Sequence, residues 1–118
     1  MSAPRLHAGA ACDSLRMPLD LEPVSAADVV EGSPRAGHVD LDATELRCIG
    51  VWEMTPGTAR DVESSEVFVV LSGEATVEFD DPHQPAIELR AGSLVRLRAG
   101  MRTIWTVRET LRKVYIAP

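Results

Sequence analysis

The sequence lacks the long apolar runs and clustered positive charge that are typical of membrane-spanning and nucleic-acid-binding proteins. No window approaches the roughly 20 apolar residues of a membrane span, and the apolar run at residues 8–12 is too short for a signal-peptide core. The formal net charge of -6 repels phosphate backbones and anionic lipids. We therefore expect a cytoplasmic protein that binds neither nucleic acid nor membranes.

Cysteine and histidine are also scarce, which limits redox and metal chemistry. Cys12 and Cys48 are the two cysteines, and they lack C-x-x-C spacing, so we expect reduced thiols rather than a disulfide or a zinc site. His7, His38 and His83 fall in a tail-like segment, a segment before the apolar runs and a proline-rich loop. We expect all three histidines to be solvent-exposed.

The remaining composition is that of one ordinary globular domain. The chain has 118 residues, of which 45% are hydrophobic and 25% charged, values far from those of disordered proteins. Residues 1 to about 22 show no sustained period, and residues 1–27 are predicted to form an N-terminal arm. Residues 26–31 are compatible with one helical turn at most, because Gly32, Pro34 and Gly37 follow. Residues 28–118 are predicted to form the domain.

Short apolar runs separated by turn residues indicate an all-β fold. Such strands, with turns at roughly 8–12-residue spacing, are typical of a sandwich or barrel. Ser72-Gly73 is predicted to be a tight hairpin turn, since glycine adopts positive φ freely, and Arg108–Thr110 is predicted to be another turn. The seven predicted strands are residues 46–54, 67–71, 75–79, 87–89, 94–97, 103–107 and 111–116.

Five segments together resemble the cupin superfamily: residues 50–57, 65–73, 91–93, 99–105 and 111–115. The resemblance covers residues 28–117 and includes the spacings Glu66 to Gly73 and Gly92 to Gly100. Within the superfamily, the sequence is most similar to small single-domain cupins grouped with the cupin domain of (S)-ureidoglycine aminohydrolase. The resemblance implies a conical jelly-roll β-barrel, often dimeric, whose interior holds any ligand or metal.

Metal-binding cupins carry two histidines one residue apart, then a glutamate, then a third histidine in the second motif. This sequence has the glutamate but none of the histidines at the matching positions. Two carboxylates without imidazole make a weak site for a transition metal, so we expect no metal and no cofactor. The matching positions read Ala59 and Asp61 or Arg60 and Val62, then Glu66, then Thr103.

Strand alternation predicts which side chains share the barrel interior. If Glu66 points inward, Phe68 and Val70 do too, and the same holds for the pairs Trp52 with Met54, Thr103 with Trp105, and Lys113 with Tyr115. An ordinary core and a ligand pocket both fit this pattern. The candidate ligand-binding residues are Trp52, Met54, Arg60, Glu66, Thr103, Trp105, Lys113 and Tyr115.

Glu66 requires a partner, because an unpaired carboxylate in an apolar barrel costs several kcal/mol. Lys113 on the last strand and Arg60 in a predicted loop before the Glu66 strand are both suitable. Such a pair either satisfies itself within the fold or binds a substrate, and the sequence leaves both roles open.

Three functions are compatible with these residues. The chain binds a small polar metabolite in the barrel without metal, or it is a metal-dependent enzyme similar to ureidoglycine aminohydrolase, or it is a metal-free isomerase or epimerase. The last would need Glu66, Lys113 or Tyr115 as its base. We favour the first function.

We also expect a homodimer, because short strands leave edges that a partner covers.

Overall fold

The computed structural model describes residues 4–118, and its regular structure consists of β-strands alone. Residues 1–3 of the predicted arm lie outside the described residues. No helix in the described range is long and apolar enough to cross a membrane. The strands are β1 (Glu22–Pro23), β2 (Val29–Glu31), β3 (Arg35–Ala43), β4 (Cys48–Met54), β5 (Gly57–Val62), β6 (Glu66–Phe79), β7 (Ile87–Leu89), β8 (Leu94–Leu97) and β9 (Arg102–Ala117).

The sixteen-residue strand β9 organises the sheet. On one edge its second half pairs with β4 and its first half with β5, and along the other edge it pairs with β6, all antiparallel. β6 in turn pairs with β7 and β8, while β3 and β1 extend the sheet beyond β4 and β2 extends it beyond β5. The sheet curls into a jelly-roll β-barrel, which confirms the predicted all-β fold.

Two predicted turns are wrong, because β6 and β9 run without interruption through Ser72-Gly73 and Arg108–Thr110. The two strands pair with each other there, and the register shifts three times between Val70 and Ala75. Gly73 has φ +97°. Positive φ at glycine serves a β-bulge as well as a hairpin turn, so the residues that suggested a chain reversal produce a bend instead.

Four strands, β1, β2, β3 and β5, were not predicted from the sequence. β5 lies where a loop containing Arg60 was expected, and β2 takes the place of the possible helical turn. Both strands are stabilised by pairing, β5 with β9 and β2 with β5, and such tertiary context overrides local propensity. Residues 80–85, 91–92 and 99–100 lie between the predicted strands, and all of them are outside strands in the structure.

A buried guanidinium binds the arm on the outside of the barrel, in addition to the pairing of β1 with β3 and the ion pair between Arg5 and Asp42. Arg112 donates hydrogen bonds to the carbonyl oxygens of Ser14 and Met17, at 3.1 and 2.7 Å, and it also pairs with Glu53 at 2.9 Å. Its neighbours on β9, Leu111 and Lys113, face the opposite side. Strand alternation thus separates the residue that holds the arm from those that form the interior.

Gly73 allows β6 and β9 to approach closely at the bend, so we predict that Gly73→Ala is strongly destabilising. A Cβ atom there would lie 2.2 Å from the carbonyl oxygen of Thr110, which adds steric overlap to the cost of positive φ. We expect a loss of about 3 kcal/mol in the free energy of unfolding, measured by urea denaturation.

Gly92→Ala is the matched control, because Gly92 has φ +92° and a Cβ atom added there would meet nothing within 4 Å. It should cost about 1 kcal/mol from backbone conformation alone. Equal losses in the two variants would contradict the close approach at Gly73.

Candidate functional site

The concave face of the sheet encloses a cavity of about 520 Å³. Strands β3, β4, β5, β6 and β9 all contribute side chains to it, as does the segment that joins β5 to β6. Thr103 is the one predicted site residue that does not line this cavity; it is buried behind the wall. The predicted residues that the structure brings together on the cavity are Trp52, Met54, Arg60, Glu66, Trp105, Lys113 and Tyr115.

An ion pair lies at the inner wall of the cavity. The ammonium of Lys113, the only lysine in the sequence, donates to Oε1 of Glu66 at 2.7 Å. The side chain of Lys113 is 6% exposed and that of Glu66 is 14% exposed. Of the two partners expected for Glu66, the structure therefore selects Lys113, while Arg60 remains exposed at the rim.

Three aromatic rings surround the same ammonium. Its nitrogen lies 4.1 Å from the ring centroid of Phe68, 4.8 Å from that of Trp52 and 4.9 Å from that of Trp105. Such cation–π contacts are more stabilising when the cation is removed from water. Together with the carboxylate of Glu66, they offset the free-energy cost of burying the Lys113 ammonium. We call Lys113, Glu66 and these three rings the lysine cage.

Strand register explains why the cage forms. Trp52 lies directly across from Lys113 on β4, and Val70 lies across from it on β6, two residues after Phe68. Glu66 precedes Phe68 by two residues and shares its face. Trp105 comes from the first half of β9 and meets Trp52, with ring centroids 5.6 Å apart, because the strand curls.

A second polar pair lies further along β9. The hydroxyl of Tyr115 donates to Oδ1 of Asp40 at 2.6 Å, which lowers the pKa of Asp40. Burial, and then the neighbouring Asp40, raise the pKa of Tyr115. Gly50 makes room for the hydroxyl, since a Cβ atom there would lie 2.2 Å from it. Cys48 is next to Asp40, and burial raises its pKa to about 11, so its thiol stays protonated at neutral pH.

Glu63 is the site residue that the sequence did not reveal. It is only 7% exposed, lines the cavity, and accepts hydrogen bonds at Oε2 from the Thr103 hydroxyl and from Trp105 Nε1, the latter at 2.9 Å. Burial raises its pKa, although the two donors oppose the shift. Thr103 thus contributes to the site through Glu63 rather than directly.

Backbone pairing with a distant turn holds Glu63 in place. Its amide donates to the carbonyl oxygen of Met101 at 2.8 Å, and its own carbonyl accepts from the amide of Gly100 at 2.9 Å. Glu63 lies between two strands, where no periodic pattern predicts the direction of a side chain. No sequence pattern therefore marks Glu63 as a site residue. Only the folded backbone brings it next to the turn at Gly100.

The rim of the cavity is mostly acidic. Asp28 and Asp61 lie there with the exposed Arg60, and partial shielding from water raises the pKa of Asp61. His38 is exposed as expected, yet its ring also lines the cavity and meets that of Tyr115 edge to face, with centroids 6.4 Å apart.

The positions that hold a metal in other cupins do not form a metal site in this chain. Ala59 is part of the apolar core, Thr103 is bonded to Glu63, and the carboxylate of Glu66 is paired with Lys113. Within residues 4–118, no three side chains of His, Cys, Asp or Glu are arranged to hold a metal ion. The donors present do not fit a cupin metal centre.

The raised pKa of Glu63 predicts a pH-dependent effect of Glu63→Gln. A carboxyl whose pKa is higher in the folded than in the unfolded state stabilises the fold while protonated, and this contribution is lost as pH rises above the unfolded value of about 4.3. Glutamine can still accept both hydrogen bonds without a buried charge. We expect the variant to match the wild type near pH 4 and to melt a few degrees higher at pH 7.

Melting curves between pH 4 and 8 test this prediction, with the exposed Glu45→Gln as control. The control should leave the melting temperature nearly unchanged across the range. A difference between Glu63→Gln and wild type that does not vary with pH would contradict a raised pKa at Glu63.

Comparisons with known proteins agree with this architecture. The family model of EutQ-like cupin domains matches residues 41–115, and no curated protein matches the chain. The EutQ protein of Clostridium difficile superposes with a TM-score of 0.61 at 21% identity, covering 79% of this chain and 77% of that one. An ethanolamine utilization protein Q of Salmonella typhimurium gives 0.60 at 17% identity, covering 86% and 96%.

A longer protein of unknown function from Pseudomonas syringae superposes with a TM-score of 0.73 at 21% identity, over 91% of this chain and 46% of that one. At such identities the structural neighbours establish the fold alone. The family match spans most of the barrel, from the end of β3 nearly to the end of β9. The chain therefore belongs to the family of EutQ-like cupin domains.

Proposed function

We propose that this chain binds a small polar metabolite in the barrel cavity through protein side chains alone. The observation that carries the proposal is the lysine cage, which places a buried ion pair against the cavity between two indole rings and a phenyl ring. A ligand with polar groups meets preformed charges there, and its apolar parts meet aromatic faces. Few convergent polar groups on an apolar wall are typical of small-molecule sites.

The cavity has a size that suits this role. Its volume of about 520 Å³ lies within the usual range for small-molecule pockets, roughly 300–1,000 Å³. Glu63 and Tyr115 are fixed by hydrogen bonds before any ligand arrives, so little side-chain ordering has to accompany binding. Preorganisation of this kind lowers the entropic cost of association.

Aminohydrolase chemistry of the ureidoglycine type is a weaker candidate. A metal in such a site would polarise the substrate and stabilise the leaving amine. The positions that would hold it carry Ala59 or Arg60, Asp61 or Val62, Glu66 and Thr103, which offer no imidazole. The name of the Salmonella neighbour connects that protein with ethanolamine utilization, so ethanolamine belongs among the compounds to test here.

We predict that a bound metabolite quenches tryptophan fluorescence, because Trp52 and Trp105 are the only tryptophans and both line the cavity. Purified, chelator-treated protein is titrated with ethanolamine, glycerol, glucose, glycine and malate. At least one compound should give saturable quenching, and Glu66→Gln should weaken it by about tenfold, since it removes a charged hydrogen-bonding partner.

Glu45→Gln is the control for this titration, since Glu45 is exposed and outside the cavity. Quenching that needs an added metal ion, or that is unchanged in Glu66→Gln, would contradict binding by protein side chains at this wall.

We also propose that the chain forms a homodimer, which sedimentation velocity on the full chain tests; a monomer at high micromolar concentration would contradict it.

A further inference from the structure

The cavity wall carries more negative than positive charge. Five carboxylates line it and only two cations, Arg60 and Lys113, oppose them. Lys113 is already neutralised by Glu66 at 2.7 Å, and Arg60 is exposed at the rim. The five acidic residues on the cavity are Asp28, Asp40, Asp61, Glu63 and Glu66.

One of these carboxylates has an oxygen that is free to accept a ligand. Both donors to Glu63, Thr103 and Trp105, bind the same oxygen, Oε2. Oε1 has no hydrogen-bond partner within residues 4–118. It is not fully buried, so it keeps some exposure to solvent. Since Glu63 is more than nine-tenths buried and lines the cavity, this oxygen is accessible from the cavity.

The surroundings of Glu63 suit a cation better than a neutral or anionic group. The indole N–H of Trp105 is bonded to the carboxylate, and the ring of Trp52 lies beside that of Trp105 at an interplanar angle of 56°. Aromatic faces attract cations. Asp61 lies nearby, and its charge contributes to the raised pKa of Glu63, whereas the charge of Lys113 opposes that shift and is itself paired with Glu66. The lysine cage already shows the same combination of carboxylate and aromatic rings around an ammonium group.

We propose that the metabolite bound in this cavity is a small organic cation, such as a primary amine, whose charged group binds Oε1 of Glu63. This inference rests on the proposed binding function and specifies its ligand class. No group within residues 4–118 donates a hydrogen bond to Oε1 of Glu63. The ammonium of the ligand would be that donor. The carbon chain would lie against the indoles of Trp52 and Trp105.

Three probes of nearly equal size test the charge preference: n-butylammonium, n-butanol and n-butyrate. Each is titrated into the full chain at constant ionic strength, with tryptophan fluorescence and one-dimensional NMR line broadening as readouts. We expect butylammonium to bind at least about tenfold more tightly than butanol, and butyrate to bind most weakly. In Glu63→Gln the advantage of butylammonium over butanol should fall to about twofold or less, whereas Glu45→Gln should retain it.

The outcomes separate this inference from the proposed function. Equal binding of butylammonium and butanol, or tighter binding of butyrate, overturns the cationic ligand class. So does a preference for butylammonium that persists in Glu63→Gln. If none of the three probes binds while another metabolite still quenches fluorescence, only this inference fails; if nothing binds, both fail. Asp61→Asn is the second variant, and an unchanged preference for butylammonium there also counts against the proposal.

Discussion

The burial of one ammonium group governs the interior of this barrel. Lys113 is the sole lysine, and its side chain is almost fully removed from water, a position that costs several kcal/mol without compensation. Glu66 supplies the opposite charge, and Phe68, Trp52 and Trp105 supply ring faces around it. These partners come from β4, β6 and the first half of β9, whereas Lys113 is in the second half of β9. Satisfying the ammonium therefore requires the strands to curl around it.

The same constraint connects the fold to the cavity. The long strands β6 and β9 bend rather than end near Gly73, and the bend carries Trp105 back toward Lys113. Past the bend, β9 presents Tyr115 to Asp40 on β3. On the opposite face Arg112 binds the arm and Glu53. A single strand therefore positions the arm, the ion pair and the polar wall.

Strand periodicity was sufficient to predict the faces of the barrel and several of the side chains that line its cavity. Glu66, Phe68 and Val70 share the interior, as do Lys113 and Tyr115, because side-chain direction in a strand follows directly from residue number. The continuity of β6 and β9 was not predictable, since Gly73 fits a turn and a bulge equally well. Glu63 was missed because it lies in a connection, where its direction depends on long-range pairing with Gly100 and Met101.

A double-mutant cycle on Lys113 and Glu66 tests most directly whether this ion pair holds the cavity together. Lys113→Met, Glu66→Gln and the double variant are unfolded in urea with the wild type. We expect Lys113→Met to cost about 3 kcal/mol by leaving the carboxylate unpaired, and the double variant to recover much of that loss, with a coupling energy of about 2 kcal/mol. Additive losses, with a coupling below about 0.5 kcal/mol, would contradict the central place given to this pair.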